Sequence, residues 1–392
     1  MMILSPTSES DIAAAVADAR EKKTPLAIEG GGTRKALGRP AQSERTLSLA
    51  KMNAIVFYEP GEMVFCAQGG VPVESIEAML AERGQMLPFE PVDHRRLYGS
   101  SGAPTIGAVA ACNISGPRRI SHGAARDSLI GLRLVNGAGE AIKTGGRVMK
   151  NVTGLDLVKL SCGAHGTLGV LAEATFKVLP RPEASATLVI RNLDDERAVQ
   201  ALSQALGSPF EVSGAAHLPA GIGGPDARTL LRVENFKPSV EYRIGELRKI
   251  VGGDVILYDE ETRALWRDIR DCAFFAAPDP RAIWRVSTAP SRGADLVRLV
   301  RKSGEAAHFF DWGGGLVWLA VDAGGDARAK DIRAATAACG GHATLVRAPD
   351  ELRARMEVFQ PLPDAVMTLT RGIKASFDPD GILNPGRMYA GV

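Results

Sequence analysis

No two cysteines in this chain stand in Cys-x-x-Cys spacing. The five present, Cys66, Cys112, Cys162, Cys272 and Cys339, are scattered and odd in number. That rules against a disulfide framework and against a protein-held iron–sulfur cluster, and leaves the thiols as small buried hydrophobes. Any redox chemistry then falls to an organic cofactor. Long apolar runs are also missing, so nothing has the ~20-residue length of a membrane span. The start, Met1-Met2-Ile3-Leu4-Ser5-Pro6-Thr7, lacks both the basic segment and the apolar length of a signal peptide. The expected location is the cytoplasm, with any membrane attachment made through partners. Neither sign of charge is in marked excess: the formal net charge is +2, and no basic run is interleaved with aromatics, which excludes a dedicated nucleic-acid binder. The dinucleotide fingerprint G-x-G-x-x-G is absent, because Lys35 stands where its third glycine would fall. No segment matches the phosphate loop of nucleotide triphosphatases either.

What is present is a soluble composition, 45% hydrophobic and 23% charged, in a chain of 392 residues. That length exceeds one ordinary core, so at least two domains are expected. Ser8 or Ser10 can cap a first helix through Ile12, Ala15, Val16 and Ala19. Strands are predicted over Pro25–Glu29 and Met63–Ala67, the second leading to a helix with Val73, Ile76, Met79 and Leu80 on one face and Gly84 as its stop. Leu132–Val135 and Glu140–Lys143 read as a hairpin around Asn136-Gly137-Ala138-Gly139. Leu179-Pro180-Arg181-Pro182 is a linker signal. Beyond it, predicted strands (Thr187–Ile190, Leu230–Val233, Val255–Tyr258, Ala282–Ser287) alternate with helices (Asp194–Leu206, Val240–Val251, Ala294–Lys302), and Phe309–Val321 forms a hairpin around Gly313-Gly314-Gly315. This is an α+β layer with antiparallel pairing; two related βαβ-type units fit within it, although no sequence repeat is evident. Val366, Leu369, Ile373 and Phe377 recur at helical spacing before the turn-rich run from Asp378 to Arg387, which reads as a strap returning to the first domain. The predicted organisation is 1–180, 181–365 and a strap at 366–392.

Four segments can carry chemistry. In Gly30-Gly31-Gly32-Thr33-Arg34-Lys35 the unhindered backbone N–H groups can converge on an anion such as a pyrophosphate; read alone, the run serves equally as a flexible turn. The stretch from Tyr98 to Asn113 combines small residues and hydroxyls without charge, so a flat ring system can lie against it; a close-packed helix start is the alternative. Ser121–Asp127 and Gly163–Leu171 are the third and fourth. Lone histidines such as His94, His217 and His342 are read as structural.

Taken in order, Glu29-Gly30-Gly31-Gly32-Thr33, Thr105-Ile106-Gly107, His122-Gly123-x-x-Arg126-Asp127, Gly166-Thr167-Leu168-Gly169-Val170, Asp378-Pro379 and Asn384-Pro385-Gly386-Arg387 resemble the FAD-binding domain of the vanillyl-alcohol-oxidase family. The resemblance covers residues 1 to about 180 and the last twenty or so closely, and the middle loosely. It implies an α+β, two-subdomain PCMH-type FAD-binding fold with an α+β cap of ferredoxin-like character and a C-terminal strap. It assigns the cofactor to Gly30, Gly31, Gly32, Thr33, Arg34, Lys35, Ser100, Gly102, Thr105, Ile106, Gly107, Ala108, Asn113, Gly123, Gly166, Thr167, Gly169, Val170, Asn384 and Arg387. Thr33 and Arg34 stand where some relatives carry a histidine that attaches FAD covalently, so non-covalent FAD is implied.

The departures also inform. D-2-hydroxy-acid dehydrogenases of the family carry two cap histidines around a Gly-Asp-Gly-Asn core, which bind a metal and place a base. Here the stretch reads His308-Phe309-Phe310-Asp311-Trp312-Gly313-Gly314-Gly315-Leu316-Val317-Trp318, with one histidine and no metal set. The short cap and this pattern resemble the smaller FAD-binding subunits of glycolate oxidases. That implies a small 2-hydroxy-acid substrate, a second FAD-binding subunit with the full histidine motif, and an iron–sulfur subunit to take electrons. Local catalytic candidates are His122 as a base and Arg118, Arg119 or Arg126 as carboxylate holders. Two other readings stay open: a self-sufficient FAD-dependent oxidase of another alcohol or 2-hydroxy acid, and a non-redox assembly subunit with structural FAD.

Overall fold

The computed structural model describes residues 2–147 and 154–392. Its first layer is a three-stranded parallel sheet in which Arg45–Ser48 runs between Met2–Leu4 and Leu26–Glu29. The helix Glu9–Glu21 covers it. Ser8, not Ser10, starts that helix: its hydroxyl accepts from the Asp11 N–H, and the Asp11 carboxylate accepts from the Ser8 N–H. Ile12, Val16 and Ala19 face inward onto Leu26 and Leu47. Ile382 and Leu383 complete this core, and Leu383 bridges Leu26 in parallel, so the C-terminal run does return to the first layer.

The second layer is a five-stranded antiparallel sheet ordered Ile55–Glu59, Val64–Gln68, Val170–Lys177, Leu129–Val135, Ala141–Gly145. Alternation along Val64–Gln68 and Val170–Lys177 puts Phe65 and Phe176 on one face, where their rings stack 5.9 Å apart under the helix Val73–Ala81. The short helix Ile106–Cys112 buries Ile106, Val109 and Ala110 in the same core. This orientation leaves Gly107, Ala108, Ala111 and Cys112 for the space between the two sheets.

The remaining sheet has eight strands, and its order reveals a duplication that the sequence conceals. Ala184–Arg191, helix Asp195–Leu206, Gly214–Leu218, Arg228–Asn235, helix Lys237–Val251 and Val255–Tyr258 form one βαββαβ unit. Ala282–Thr288, helix Gly293–Arg301, Ala307–Asp311, Leu316–Val321, helix Ala329–Cys339 and Gly341–Arg347 form a second. In each unit the second strand is innermost, followed outward by the third, first and fourth, which is the ferredoxin-like order. The second strands meet edge to edge through His217 and Phe310. The sequence reading missed Gly214–Leu218, Gly341–Arg347 and two helices, Asp259–Arg270 and Ala329–Cys339. Gly214–Leu218 holds only Gly, Ala, His and Leu, with no β-branched residue to mark it as a strand.

The helix Asp364–Phe377 forms where the periodicity predicts one, but Val366 and Leu369 point to solvent and its one buried residue is Lys374. Ile373 and Phe377 are half-buried, and the buried ammonium anchors the helix between them. No helix among the described residues is long and apolar enough to cross a membrane.

Candidate cofactor site

A cavity of about 410 Å³ opens between the two sheets of the first half and the C-terminal run. Its floor is the glycine run that follows Leu26–Glu29. That run packs directly against residues 102–105, through Gly31 backbone to backbone. A Cβ on Gly30 would meet Thr105 Oγ1 at 2.0 Å, one on Gly31 the Ala103 carbonyl at 1.9 Å, and one on Gly102 the Gly31 carbonyl at 1.7 Å. A second interlock follows: a Cβ on Gly107 would meet the Gly69 carbonyl at 2.6 Å, and one on Gly69 the Leu171 carbonyl at 2.3 Å. Glycine is required here by close approach, not by φ.

Charge in the lining is one-sided. Arg34, Lys35, Arg353 and Arg387 face it, against the carboxylates Glu29 and Asp350. Lys35 pairs with Glu29 at 2.9 Å and Arg353 with Asp350 at 2.6 Å. Arg34 and Arg387 form no ion pair among the described residues. The buried Arg34 guanidinium reaches His94 Nδ1 at 3.3 Å and the Val92 carbonyl at 2.9 Å, while its Nη1 has no partner. Arg387 donates to the Arg34 and Arg39 carbonyls at 2.8 and 3.3 Å. Burial lowers the pKa of both. Burial, then Arg387 and Arg34, push the His165 imidazole in the same lining down to about 3, so it is neutral at physiological pH. Thr105 Oγ1 is buried without a partner as well. An orphaned guanidinium N–H, an orphaned hydroxyl, a bare glycine backbone and two uncompensated cations fit the diphosphate of a dinucleotide. The uncharged wall of Gly107, Ala108, Ala111 and Cys112 fits a flat ring.

The C-terminal run closes the cavity. Asn384, at φ 43°, accepts from the Ile28 N–H and donates to the His165 carbonyl, both at 2.8 Å. It thereby joins the strand before the glycine run to the loop around Gly166. Below it, Lys374 Nζ donates to the Thr167 and Leu383 carbonyls at 2.8 Å and to Asp378 at 2.6 Å. Asp378 in turn accepts from the Ile382 and Leu383 N–H groups.

Of the residues assigned from sequence, Gly30, Gly31, Gly32, Thr33, Arg34, Lys35, Thr105, Gly107, Ala108, Gly166, Gly169, Asn384 and Arg387 line this one cavity. The others stand behind it or apart from it. Ser100 bonds the Thr33 carbonyl, Gly102 backs Gly31, and Ile106 and Val170 are core. Thr167 is buried, with its carbonyl accepting from Lys374. Asn113 accepts from the Arg126 N–H, and Gly123, at φ 79°, lies against Asp127. The lining also includes Cys112, His165, Asp350 and Arg353, which sequence reasoning did not assign. Nothing in Asp350-Glu351-Leu352-Arg353 distinguishes it from an ordinary helix turn.

None of the catalytic candidates His122, Arg118, Arg119 and Arg126 lines the cavity. Arg118 is committed elsewhere: its guanidinium meets Glu234 at 2.6 Å and Glu90 at 3.5 Å, and Arg232 closes the network on Glu90 at 2.9 Å. Burial pushes Glu234 up, but Arg232 and Arg118 outweigh it and hold the carboxylate below its usual range. Arg118 therefore joins the first half to the eight-stranded sheet and is no free carboxylate holder. His122 Nδ1 lies 2.8 Å from Ser121 Oγ, and burial and Arg118 lower its pKa. The Arg126 N–H is spent on Asn113, and its carbonyl accepts from Lys159.

His308 is not isolated. Its Nε2 lies 3.0 Å from Asp195, which also faces His217 Nε2 at 3.6 Å. The Nδ1 atoms are taken by Arg301 and Thr229. This cluster locks the seam between the two βαββαβ units. Strand alternation puts it on the face opposite Phe309 and Asp311, away from the cavity. Among the described residues no group of three or more His, Cys, Asp or Glu side chains could hold a metal.

Asp311 is buried and accepts from the Trp312 N–H at 2.7 Å; burial pushes it up to about 7 from 3.8. A carboxyl raised in the folded state holds its proton more tightly there than unfolded. Its ionisation therefore removes stability as pH climbs from the unfolded value through about 7, by at most about 4 kcal/mol. Asp311→Asn keeps the acceptor and removes the charge. It is expected to raise the thermal midpoint at pH 8 by several degrees and to leave it unchanged at pH 4. Equal shifts at both pH values would show that Asp311 ionises freely.

Comparison with known proteins agrees with this geometry. The FAD binding domain family matches residues 1–145, and the C-terminal domain of FAD linked oxidases matches residues 357–388. Over 370 residues the chain is 36% identical to glycolate oxidase subunit GlcE of Escherichia coli (strain K12), covering 94% of this chain and 93% of that protein. It is 26% identical over 426 residues to glycolate oxidase subunit GlcD of Bacillus subtilis (strain 168), covering 99% and 88%. Among solved structures, 4-ethylphenol oxidase from Gulosibacter chungangensis superposes with a TM-score of 0.74 at 15% identity, over 99% of this chain and 89% of that one. p-Cresol methylhydroxylase superposes with a TM-score of 0.72 at 17% identity, over 98% and 88%. These structures share the PCMH-type fold.

Proposed function

This chain belongs to the FAD-linked oxidoreductase family that includes glycolate oxidase subunit GlcE, and from that premise we propose that it is one FAD-binding subunit of a multi-subunit glycolate oxidase. FAD is its cofactor. The observation that carries the reading is the cavity, where an interlocked glycine backbone and two arginines without carboxylates face one uncharged wall. Arg34 and Arg387, with the Gly30–Gly32 backbone, would hold the diphosphate. The wall from Gly107 to Cys112 would seat the ring without covalent attachment, and Asn384 ties the strap to the strand before the glycine run. When bound, FAD supplies a two-electron acceptor for hydride leaving the hydroxyl-bearing carbon of glycolate, giving glyoxylate.

The working division is 1–180 for the FAD-binding part, 181–365 for the cap and 366–392 for the strap. Electrons pass onward to an iron–sulfur subunit, since five dispersed cysteines offer this chain no cluster of its own. A second FAD-binding subunit carries the two-histidine motif that this cap lacks. The test is the visible spectrum under anaerobic glycolate, taken on the chain alone and then with its partner subunits. Bleaching in the assembled complex supports the reading. Flavin that stays oxidised in a complex turning over glycolate contradicts it.

A further inference from the structure

The inner face of the eight-stranded sheet carries a pair of cations that the cofactor does not account for. Trp312 is buried at the end of Ala307–Asp311, its indole N–H donating to the Gly116 carbonyl at 3.1 Å. The Arg119 guanidinium lies 4.6 Å from the centre of its ring, and that of Arg285 lies 4.9 Å away. Among the described residues neither arginine forms an ion pair or a side-chain hydrogen bond, whereas Arg118, next in sequence, is fully engaged. Arg119 is exposed and Arg285 half-buried, so both are reachable from solvent.

Two like charges held against one indole repel, and burial together with Arg119 pushes Arg285 down to about 10. The carboxylates facing them, Asp311 for Arg285 and Asp127 for Arg119, relieve this only in part. Asp311 bonds its neighbouring N–H, and burial pushes it up to about 7, while Asp127 and His342 make no ion pair with either arginine. Stacking on an aromatic ring fixes a guanidinium plane and leaves its N–H edge free, the arrangement that takes a carboxylate through two parallel bonds. The position matters too. Cys112, in the cofactor cavity wall, packs against the cluster that contains Trp312, Phe309 and Trp318. Cys112 thus links the cavity wall to the apolar cluster on which both arginines rest.

We propose that Arg119 and Arg285, both laid against Trp312, form a binding site for a small carboxylate on this chain itself. The inference rests on the reading of the chain as an FAD-dependent oxidoreductase of 2-hydroxy acids and adds where the carboxylate is held. The sister subunit then does not hold the only acid site of the complex.

The test is calorimetric titration of the full FAD-loaded chain with oxalate, an unreactive two-carbon acid, at low ionic strength. Wild type is compared with Arg285→Met, Arg119→Met and, as a control in an exposed ion pair elsewhere, Arg298→Met. Each charge-assisted pair lost weakens binding about 10- to 100-fold. The expected result is such a loss in both site variants and none in the control. Arg119 is exposed, so its variant stays informative if Arg285→Met fails to fold. Loss in either folded site variant supports the site. No binding by wild type, or undiminished binding in every folded site variant, overturns it. Flavin content of the same samples separates the two claims: oxalate bound and lost as expected on a chain without flavin would leave this site standing and remove the FAD reading.

Discussion

A Gly31→Ala chain is expected to fold and to purify with less than about a tenth of the flavin of the wild type. The added methyl would sit 1.9 Å from the Ala103 carbonyl, a contact that only separating the two loops can relieve. Separation by about 1 Å spreads the N–H groups that converge on the diphosphate, and a loss of about 1.4 kcal/mol is already tenfold in affinity. Gly102→Ala is expected to do the same although Gly102 does not line the cavity, because its Cβ would strike the Gly31 carbonyl at 1.7 Å. Gly32→Ala is the contrast: its nearest neighbour is the flexible Lys35 side chain at 3.2 Å, and only its φ of +75° opposes the change. Flavin released by acid per folded chain, measured across the three variants, checks the order. Full flavin content in Gly31→Ala and Gly102→Ala would mean that the loop interlock does not shape the site.

Asp378→Ala is expected to cost more stability than any other single change to the C-terminal run, about 3–5 kcal/mol. The variant leaves the Lys374 ammonium buried with two carbonyls and no counter-charge, and leaves the Ile382 and Leu383 N–H groups without an acceptor. Burial already depresses Lys374, so the unpaired amine is expected to shed its proton in the variant. Lys374→Met is expected to cost less, since Asp378 keeps its two backbone donors. Thermal unfolding checks the ranking, and flavin release rates check the consequence: the strand bridge between Leu26 and Leu383 depends on this latch, and Asn384 follows directly after it. Lys374→Met as damaging as Asp378→Ala would place the energy in the ammonium instead.

Much of the first half was legible because its function constrains backbone, and backbone constraints show as glycine, proline and asparagine. Gly30-Gly31-Gly32, Thr105-Ile106-Gly107 and Asn384-Pro385-Gly386-Arg387 point to the same cavity from three distant stretches of chain. Motif membership could not separate lining residues from their supports: Ile106 and Gly107 are adjacent, yet one is core and the other faces the cavity. Arg353 and Asp350 were invisible because a charged pair three residues apart on a helix looks the same on any surface. The duplicated βαββαβ cap was hidden for a related reason. Its two halves share a strand order, which hydrophobic alternation alone satisfies with many sequences. Val366 and Leu369 misled in the opposite sense, since their spacing marks a helix without saying what covers it. The role of Arg118 could be read only once Glu90 and Glu234, distant in sequence, were seen to converge on it.

The most direct measurement is the flavin content of the purified chain, by visible absorption before and after acid precipitation. The expected result is one FAD per chain, all of it in the supernatant, and a sharp fall when Arg34 is replaced by Met. A folded chain that purifies without flavin and takes up none when FAD is added would contradict the assignment of the cavity to FAD.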